Sequence, residues 1–165
     1  MAPERAHVVA EERFVVGVVV EKRRLDNPWI DYVWLPSGIL PGVPSASPGT
    51  VLAQEGDVTR VYAGPYEMSL HSIETANYLE NLQTGRPRIW ISIRETSQPA
   101  GIQVAGVTAD PAEGESFTEA GSDTVEAVAM PAEILERVAA FVAEYHVERQ
   151  FFKRKRDSKD TSDDD

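Results

Sequence analysis

Hydrophobic and polar positions along the chain fall into several strand-like runs, two brief helical stretches and one long helical stripe near the C-terminus. The strongest run is Phe14-Val15-Val16-Gly17-Val18-Val19-Val20, inside a strand expected over residues 13–24. Its β-branched content and lack of alternation point to a central strand buried on both faces. Asp26-Asn27-Pro28 marks a turn, because Pro fixes φ and Asp and Asn bond their own backbone. In residues 29–35 the even positions Ile30, Tyr32 and Trp34 are all apolar or aromatic, so a second strand is expected to turn that face to the core and leave Asp31 on the other side. Residues 36–49 hold four prolines, three glycines and three serines in fourteen positions, which favours neither helix nor central strand. A loop of that length is a candidate lid or binding edge, beside the plainer reading of a surface connection. Residues 50–54 and 58–70 read as a hairpin around Glu55-Gly56-Asp57, with a bulge or break at Gly64-Pro65.

Ser72 offers an N-cap oxygen to a short helix in which Ile73, Ala76, Leu79 and Leu82 recur at helical spacing and which Gly85 ends. Strands over residues 88–95 and 102–108 are expected to pair as neighbours. Asp110-Pro111-Ala112-Glu113 has the N-cap, the first-turn proline and the N3 carboxylate of a capping box, opening a second short helix that Gly121 terminates. A weakly patterned strand follows over residues 123–130, and Pro131 opens the longest helix, with Ile134, Val138, Phe141 and Tyr145 as its inner stripe. The sum is an α+β domain with a mixed, mainly antiparallel sheet or half-barrel of about seven strands, two short helices and one long C-terminal helix. Residues 13–150 make the single domain, flanked by a flexible N-terminus over residues 1–12, a basic helix end over 151–156 and a disordered acidic tail over 157–165.

Composition narrows the chemistry. Among 165 residues there is no cysteine, which removes thiol nucleophiles, disulfides and thiolate metal sites. A net charge of -11 argues against general nucleic-acid binding, which needs a concentrated positive surface. No apolar run approaches a membrane span, and the first residues lack an apolar signal core, so a cytoplasmic protein with no membrane partner is expected.

Glu67, His71 and Glu74 gather at an expected strand-to-helix junction, where an imidazole and carboxylates serve as base or ligands; the plainer reading is that they tidy a helix N-terminus. Asp31, set between aromatics, is a candidate for a carboxylate with general-acid character, or an ordinary exposed Asp. Asp31, His71 and Glu74 together are the candidate ligand-binding residues of a small-molecule or metal-binding half-barrel. His146 and Glu148 sit near the end of the last helix, where a cation is favoured by the dipole. Trp29, Trp34 and Trp90 line either a pocket or the core. The densest signal is Arg149-Gln150-Phe151-Phe152-Lys153-Arg154-Lys155-Arg156, five cations in eight residues. In it Phe151, Phe152, Lys153, Arg154, Lys155 and Arg156 combine an aromatic anchor with charge and form the candidate partner-binding segment, against the plainer reading of a solubilised helix end. No catalytic set, resident cofactor or metal site is expected, and an exposed sheet edge leaves homo-oligomerisation open.

The stretches Val16-Gly17-Val18-Val19-Val20-Glu21, Asn27-Pro28-Trp29-Ile30-Asp31-Tyr32-Val33-Trp34, His71-Ser72-Ile73-Glu74-Thr75-Ala76, Val107-Thr108-Ala109-Asp110-Pro111 and residues 141–156 resemble an uncharacterised bacterial family, the 3305 class of domains of unknown function. The resemblance covers roughly residues 13–156. It implies genes lying beside those of molybdenum-dependent formate dehydrogenases, their iron–sulfur partners and a dedicated chaperone, hence a non-catalytic accessory role in maturation, with a molybdoenzyme subunit or its chaperone as protein partner. A label of molybdopterin-guanine dinucleotide biosynthesis also attaches to members. The Gly-rich phosphate loop such chemistry needs is missing, since Gly38, Gly42 and Gly49 alternate with Pro and precede no expected helix.

Overall fold

A computed structural model describes residues 9–97, 101–119, 121 and 123–147. Seven strands and three helices follow one another as β1 (Glu11–Arg24), β2 (Tyr32–Leu40), β3 (Val51–Glu55), β4 (Val58–His71), α1 (Thr75–Gln83), β5 (Arg88–Glu95), β6 (Ile102–Thr108), α2 (Pro111–Glu119), β7 (Thr124–Ala129) and α3 (Ala132–Tyr145). The fold is α+β with antiparallel ladders throughout, in a four-stranded sheet of order β2-β1-β4-β3 and a three-stranded sheet of order β6-β5-β7. The sheets meet where β2 runs beside β7 and β4 beside β6, so six strands surround one core and β3 stands outside as a flank.

Strand β1 is central, as its apolar run predicts, with β2 on one side and β4 on the other. Val16, Val18 and Val20 are fully buried and meet Ile89, Ile91 and Ile93 of β5 in the same core. Helices α1 and α3 add Tyr78, Ile134, Val138 and Phe141 to it, with Tyr78 and Phe141 edge to face at 6.2 Å. Helix α2 covers the outer face of β5, where Trp90 packs on Gly114. The hairpin of β3 and β4 turns on Gly56, whose φ of 59° suits the first position of a two-residue turn.

Bulges account for the main departures from simple alternation. On β2 the register with β1 steps from Pro36 to Gly38, leaving Ser37 extra, and the buried set changes parity from Trp34 and Pro36 to Ile39. The ladder therefore runs on through Pro36, and residues 36–40 are strand where a loop was expected. A proline is tolerated because β2 is an edge of its own sheet. What remains of the candidate lid is a strap tied to β4 by Gly49 N–H to Tyr62 O (2.7 Å) and Tyr62 N–H to Thr50 O (2.8 Å). On β4 the register passes over Ala63 beside Gly64 (φ 128°), the bulge expected at Gly64-Pro65.

The start of β2 is also later than expected. Trp29 N–H donates to Asn27 Oδ1 (2.8 Å) and Leu25 N–H to Asp31 O (2.9 Å), closing residues 25–31 into a local turn that removes Trp29 and Ile30 from the ladder. The first helix differs too. Residues 72–74 form a single 3₁₀ turn before α1, and the Ser72 hydroxyl accepts from Ala10 N–H (2.9 Å) instead of capping the helix. Its buried face is Thr75, Tyr78 and Asn81, while Ile73 and Ala76 face solvent. Asn81 decides this: its side chain donates to Arg88 O (2.8 Å) and Ala109 O (3.0 Å) and accepts from Arg88 N–H (2.9 Å), satisfying three backbone groups at the junction of α1, β5 and β6.

Helix α2 starts as the capping pattern predicts, with Asp110 Oδ1 accepting from Ala112 N–H (2.9 Å). The reciprocal bond comes from Thr108 Oγ1, which takes Asp110 N–H (3.0 Å) in place of Glu113. Helix α3 buries Ile134, Val138, Phe141 and Val142 and ends at Tyr145, since His146 is extended at ψ 128°.

Candidate functional site

The inward face of β1 carries Val16, Val18 and Val20, and the same parity continues into Lys22 and Arg24. Where the core ends, the inward face of β1 therefore turns from apolar to cationic. Lys22 lies opposite Trp34 on β2 and Thr59 on β4, and Arg24 lies opposite Tyr32. Lys22, Arg24, Tyr32 and Thr59, with Leu25, Asp31, Gln54, Gly56 and Asp57, line an open pocket of about 570 Å³. Lys22 and Thr59 are its half-buried floor, and the other lining residues form an exposed rim.

Two rings hold the Lys22 ammonium in place. Its Nζ stands 4.1 Å from the Tyr32 ring centroid and 5.3 Å from that of Trp34, and the rings meet edge to face at 5.9 Å. Beside the pocket the turn at residues 25–31 displays Trp29, 90% exposed, and Ile30, 53% exposed. The rim is thus an apolar projection next to a fixed positive charge. Sequence reasoning passed over Lys22 and Arg24 because they stand at the charged end of a strand; their parity with the three valines is the signal that marks them as lining residues.

The candidate residues Asp31, His71 and Glu74 are not brought together. Asp31 stands at the pocket rim, where Arg24 pairs with Tyr32, whereas His71 pairs with Glu11 at the opposite end of the 14-residue β1. That is about 40 Å of strand at the usual rise. His71 N–H donates to the Tyr78 hydroxyl (3.0 Å), and Glu74 Oε2 accepts from Asn77 Nδ2 (3.0 Å), so both help order the junction into α1. At that end the Arg13 guanidinium, hydrogen-bonded to Glu11, holds the Glu11 carboxyl below its usual range, with His71 adding a smaller pull. Burial pushes the Tyr78 phenol up to about 12. Among the described residues no three His, Asp or Glu side chains converge as metal ligands.

Trp34 is a core residue whose ring lies 5.3 Å from Lys22 Nζ, while Trp90 lies under α2. His146 Nδ1 lies 3.2 Å from Thr75 Oγ1, tying the end of α3 to α1. Glu148 and the candidate partner-binding residues Phe151, Phe152, Lys153, Arg154, Lys155 and Arg156 lie outside the described residues. Among the described residues no helix is long and apolar enough to cross a membrane.

No curated protein and no solved structure matches the chain. A family model described as "Protein of unknown function (DUF3305)" matches residues 15–156, which takes in every strand and helix after the start of β1 together with the basic segment. The chain belongs to the DUF3305 family.

Proposed function

We propose that this chain is a non-catalytic accessory protein that works by docking on another protein, and that the partner is a molybdenum-dependent formate dehydrogenase subunit or its chaperone. The observation that carries the docking reading is Trp29. An indole 90% exposed, on a turn closed by its own hydrogen bonds and next to the half-exposed Ile30, contributes nothing to the core and is presented in a fixed place. Buried aromatic anchors dominate the energetics of protein interfaces, and a pre-formed turn reduces the ordering cost of binding. The identity of the partner is supported by the family resemblance, and the Phe151 to Arg156 segment is the second contact the reading assigns.

The test is co-purification of the tagged full chain from its own cells. Trp29→Ser with Ile30→Ser should remove a molybdoenzyme subunit or its chaperone from the eluate while thermal unfolding stays unchanged. Replacing Lys153, Arg154, Lys155 and Arg156 by Ser should weaken the same association. Undiminished co-purification in both variants would exclude docking through these elements, and a partner unrelated to molybdoenzymes would exclude the assignment.

A further inference from the structure

The geometry points to an acidic peptide segment of the partner as the occupant of the pocket floored by Lys22, with one carboxylate taken by the Lys22 ammonium and a neighbouring apolar side chain laid on Trp29 and Ile30. This rests on the docking reading and adds the chemistry of what is docked.

Charge complementarity carries the inference. The chain has 27 acidic and 16 basic residues, so carboxylates are in surplus, and most of the other strand cations pair with one, Arg88 on β5 being held instead by Ala127 O. Arg13 pairs with Glu11, Arg23 and Arg60 share Glu21, Arg94 pairs with Asp123 and Arg137 with Glu12. Lys22 and Arg24 make no ion pair among the described residues, although they alternate with Glu21 and Arg23 on the same strand. They face the pocket, and the paired Glu21 and Arg23 face the other way. Lys22 is half-buried and held over Tyr32 and Trp34, so its three donors are pre-positioned and partly desolvated, which strengthens a charge-assisted bond with an incoming carboxylate.

The rim limits the peptide. Asp31 and Asp57 stand at its edge and repel a run of acidic residues, so the motif has an isolated Asp or Glu flanked by apolar residues. This also argues against the chain's own residues 157–165 as occupant, because they contain five Asp and no apolar side chain.

A random peptide library displayed on phage and panned on the full-length protein tests this, followed by fluorescence anisotropy with the selected peptides. Enrichment of a lone acidic residue beside apolar ones is expected, with affinity falling about tenfold in Lys22→Gln, falling again on raising salt, and partly restored in Lys22→Arg. Arg24→Gln, on the exposed rim, gives a second readout that does not depend on the packing of the floor. Selection of neutral or basic peptides, no selection at all, or binding indifferent to Lys22 and Arg24 would overturn the inference. In that event, loss of co-purification in the Trp29 variant would still uphold docking, so the two readings fail separately.

Discussion

Gly114 of α2 rests directly on the indole of Trp90: a Cβ at Gly114 would overlap Trp90 Cγ and stand 2.7 Å from its Cδ1. The absent side chain sets the distance between α2 and the three-stranded sheet, and Gly106 makes the same allowance for Phe117, whose Cζ would be 2.8 Å from a Cβ there. In an exposed helix interior Gly→Ala stabilises by about 1 kcal/mol through backbone entropy. Here overlap with a large ring on a strand reverses the sign, and Gly114→Ala is expected to cost about 1–3 kcal/mol, read from urea unfolding. In a Trp90→Ala background the same substitution should become neutral or stabilising. A loss of equal size in both backgrounds would show that Trp90 is not the obstacle.

Asn81 is the polar tie among α1, β5 and the end of β6. It is buried and serves three backbone groups, so Asn81→Ala leaves Arg88 N–H, Arg88 O and Ala109 O without that partner. At about 1–3 kcal/mol for each buried group left unsatisfied, less what water recovers, the loss should be about 3 kcal/mol. Asn81→Asp keeps an acceptor for Arg88 N–H but sets a carboxylate against two carbonyl oxygens, and at pH 7 it should be at least as damaging. Equilibrium unfolding of both variants checks this; a cost within 0.5 kcal/mol of zero is the range of an ordinary surface change.

Much of the fold is legible in the sequence where one periodicity dominates. The run Val16 to Val20 marks β1 as central, the stripe Ile134, Val138, Phe141 marks the face of α3, and Asp110-Pro111 marks the start of α2. Reading by period goes astray where a single polar group outweighs it. Ser37 is an extra residue in β2 and turns the rest of that strand over, Asn27 captures Trp29 N–H, and Asn81 draws a polar face of α1 inward. The pocket was hidden for a related reason: Lys22 and Arg24 resemble a strand ending in solvent, and their parity with the buried valines gains meaning from their register opposite Trp34 and Tyr32. Asp31 belongs to that pocket, but His71 and Glu74 do not, because a strand as long as β1 carries its two ends to opposite sides of the domain.

Tyr78 gives the fold an alkaline limit. Burial raises its phenol from 10.0 to about 12, so the folded state holds this proton more tightly than the unfolded chain does. The stability linked to it is complete below pH 10 and is lost as pH rises from 10 through 12. Tyr62 and Tyr145 are shifted in the same direction and steepen the decline, Tyr62 through burial and Tyr145 chiefly through Glu144. Tyr78→Phe should be less stable at pH 8, because His71 N–H loses its acceptor, yet lose less further stability above pH 10. Urea midpoints taken at intervals between pH 8 and 12 measure both effects, and parallel curves for the two proteins would refute the assignment.

Asp123 and Glu12 separate an anchored ion pair from a loose one. The Asp123 side chain is 7% exposed and accepts from Arg94 Nε (2.8 Å), Arg94 Nη2 (3.2 Å) and Ser92 Oγ (3.1 Å), fastening the start of β7 to β5. Glu12 meets Arg137 at 3.4 Å with both side chains well exposed. Asp123→Ala should therefore cost about 1–2 kcal/mol, chiefly through the hydrogen bonds it strands. Glu12→Ala should cost about 0.5 kcal/mol or less. Thermal unfolding in low and high salt tests the contrast, since only the Glu12 contribution should fade with salt.

Trp29 and Trp34 are five positions apart in sequence and should respond in opposite ways to one substitution. Trp34 is 7% exposed, packs in the core and supports Lys22, so Trp34→Ala is expected to cost about 3–5 kcal/mol. Trp29 is tied to its turn through its backbone N–H and is 90% exposed, so Trp29→Ala should leave the unfolding midpoint within about 0.5 kcal/mol of the parent. Because its indole is so exposed, fluorescence should show a red-shifted component quenched by iodide in the parent and missing from Trp29→Ala. If that component instead moves to shorter wavelength and resists iodide when the partner is added, the indole is being buried on docking. A Trp29 variant that unfolds as early as the Trp34 one would place the indole in the core and remove the observation on which docking rests.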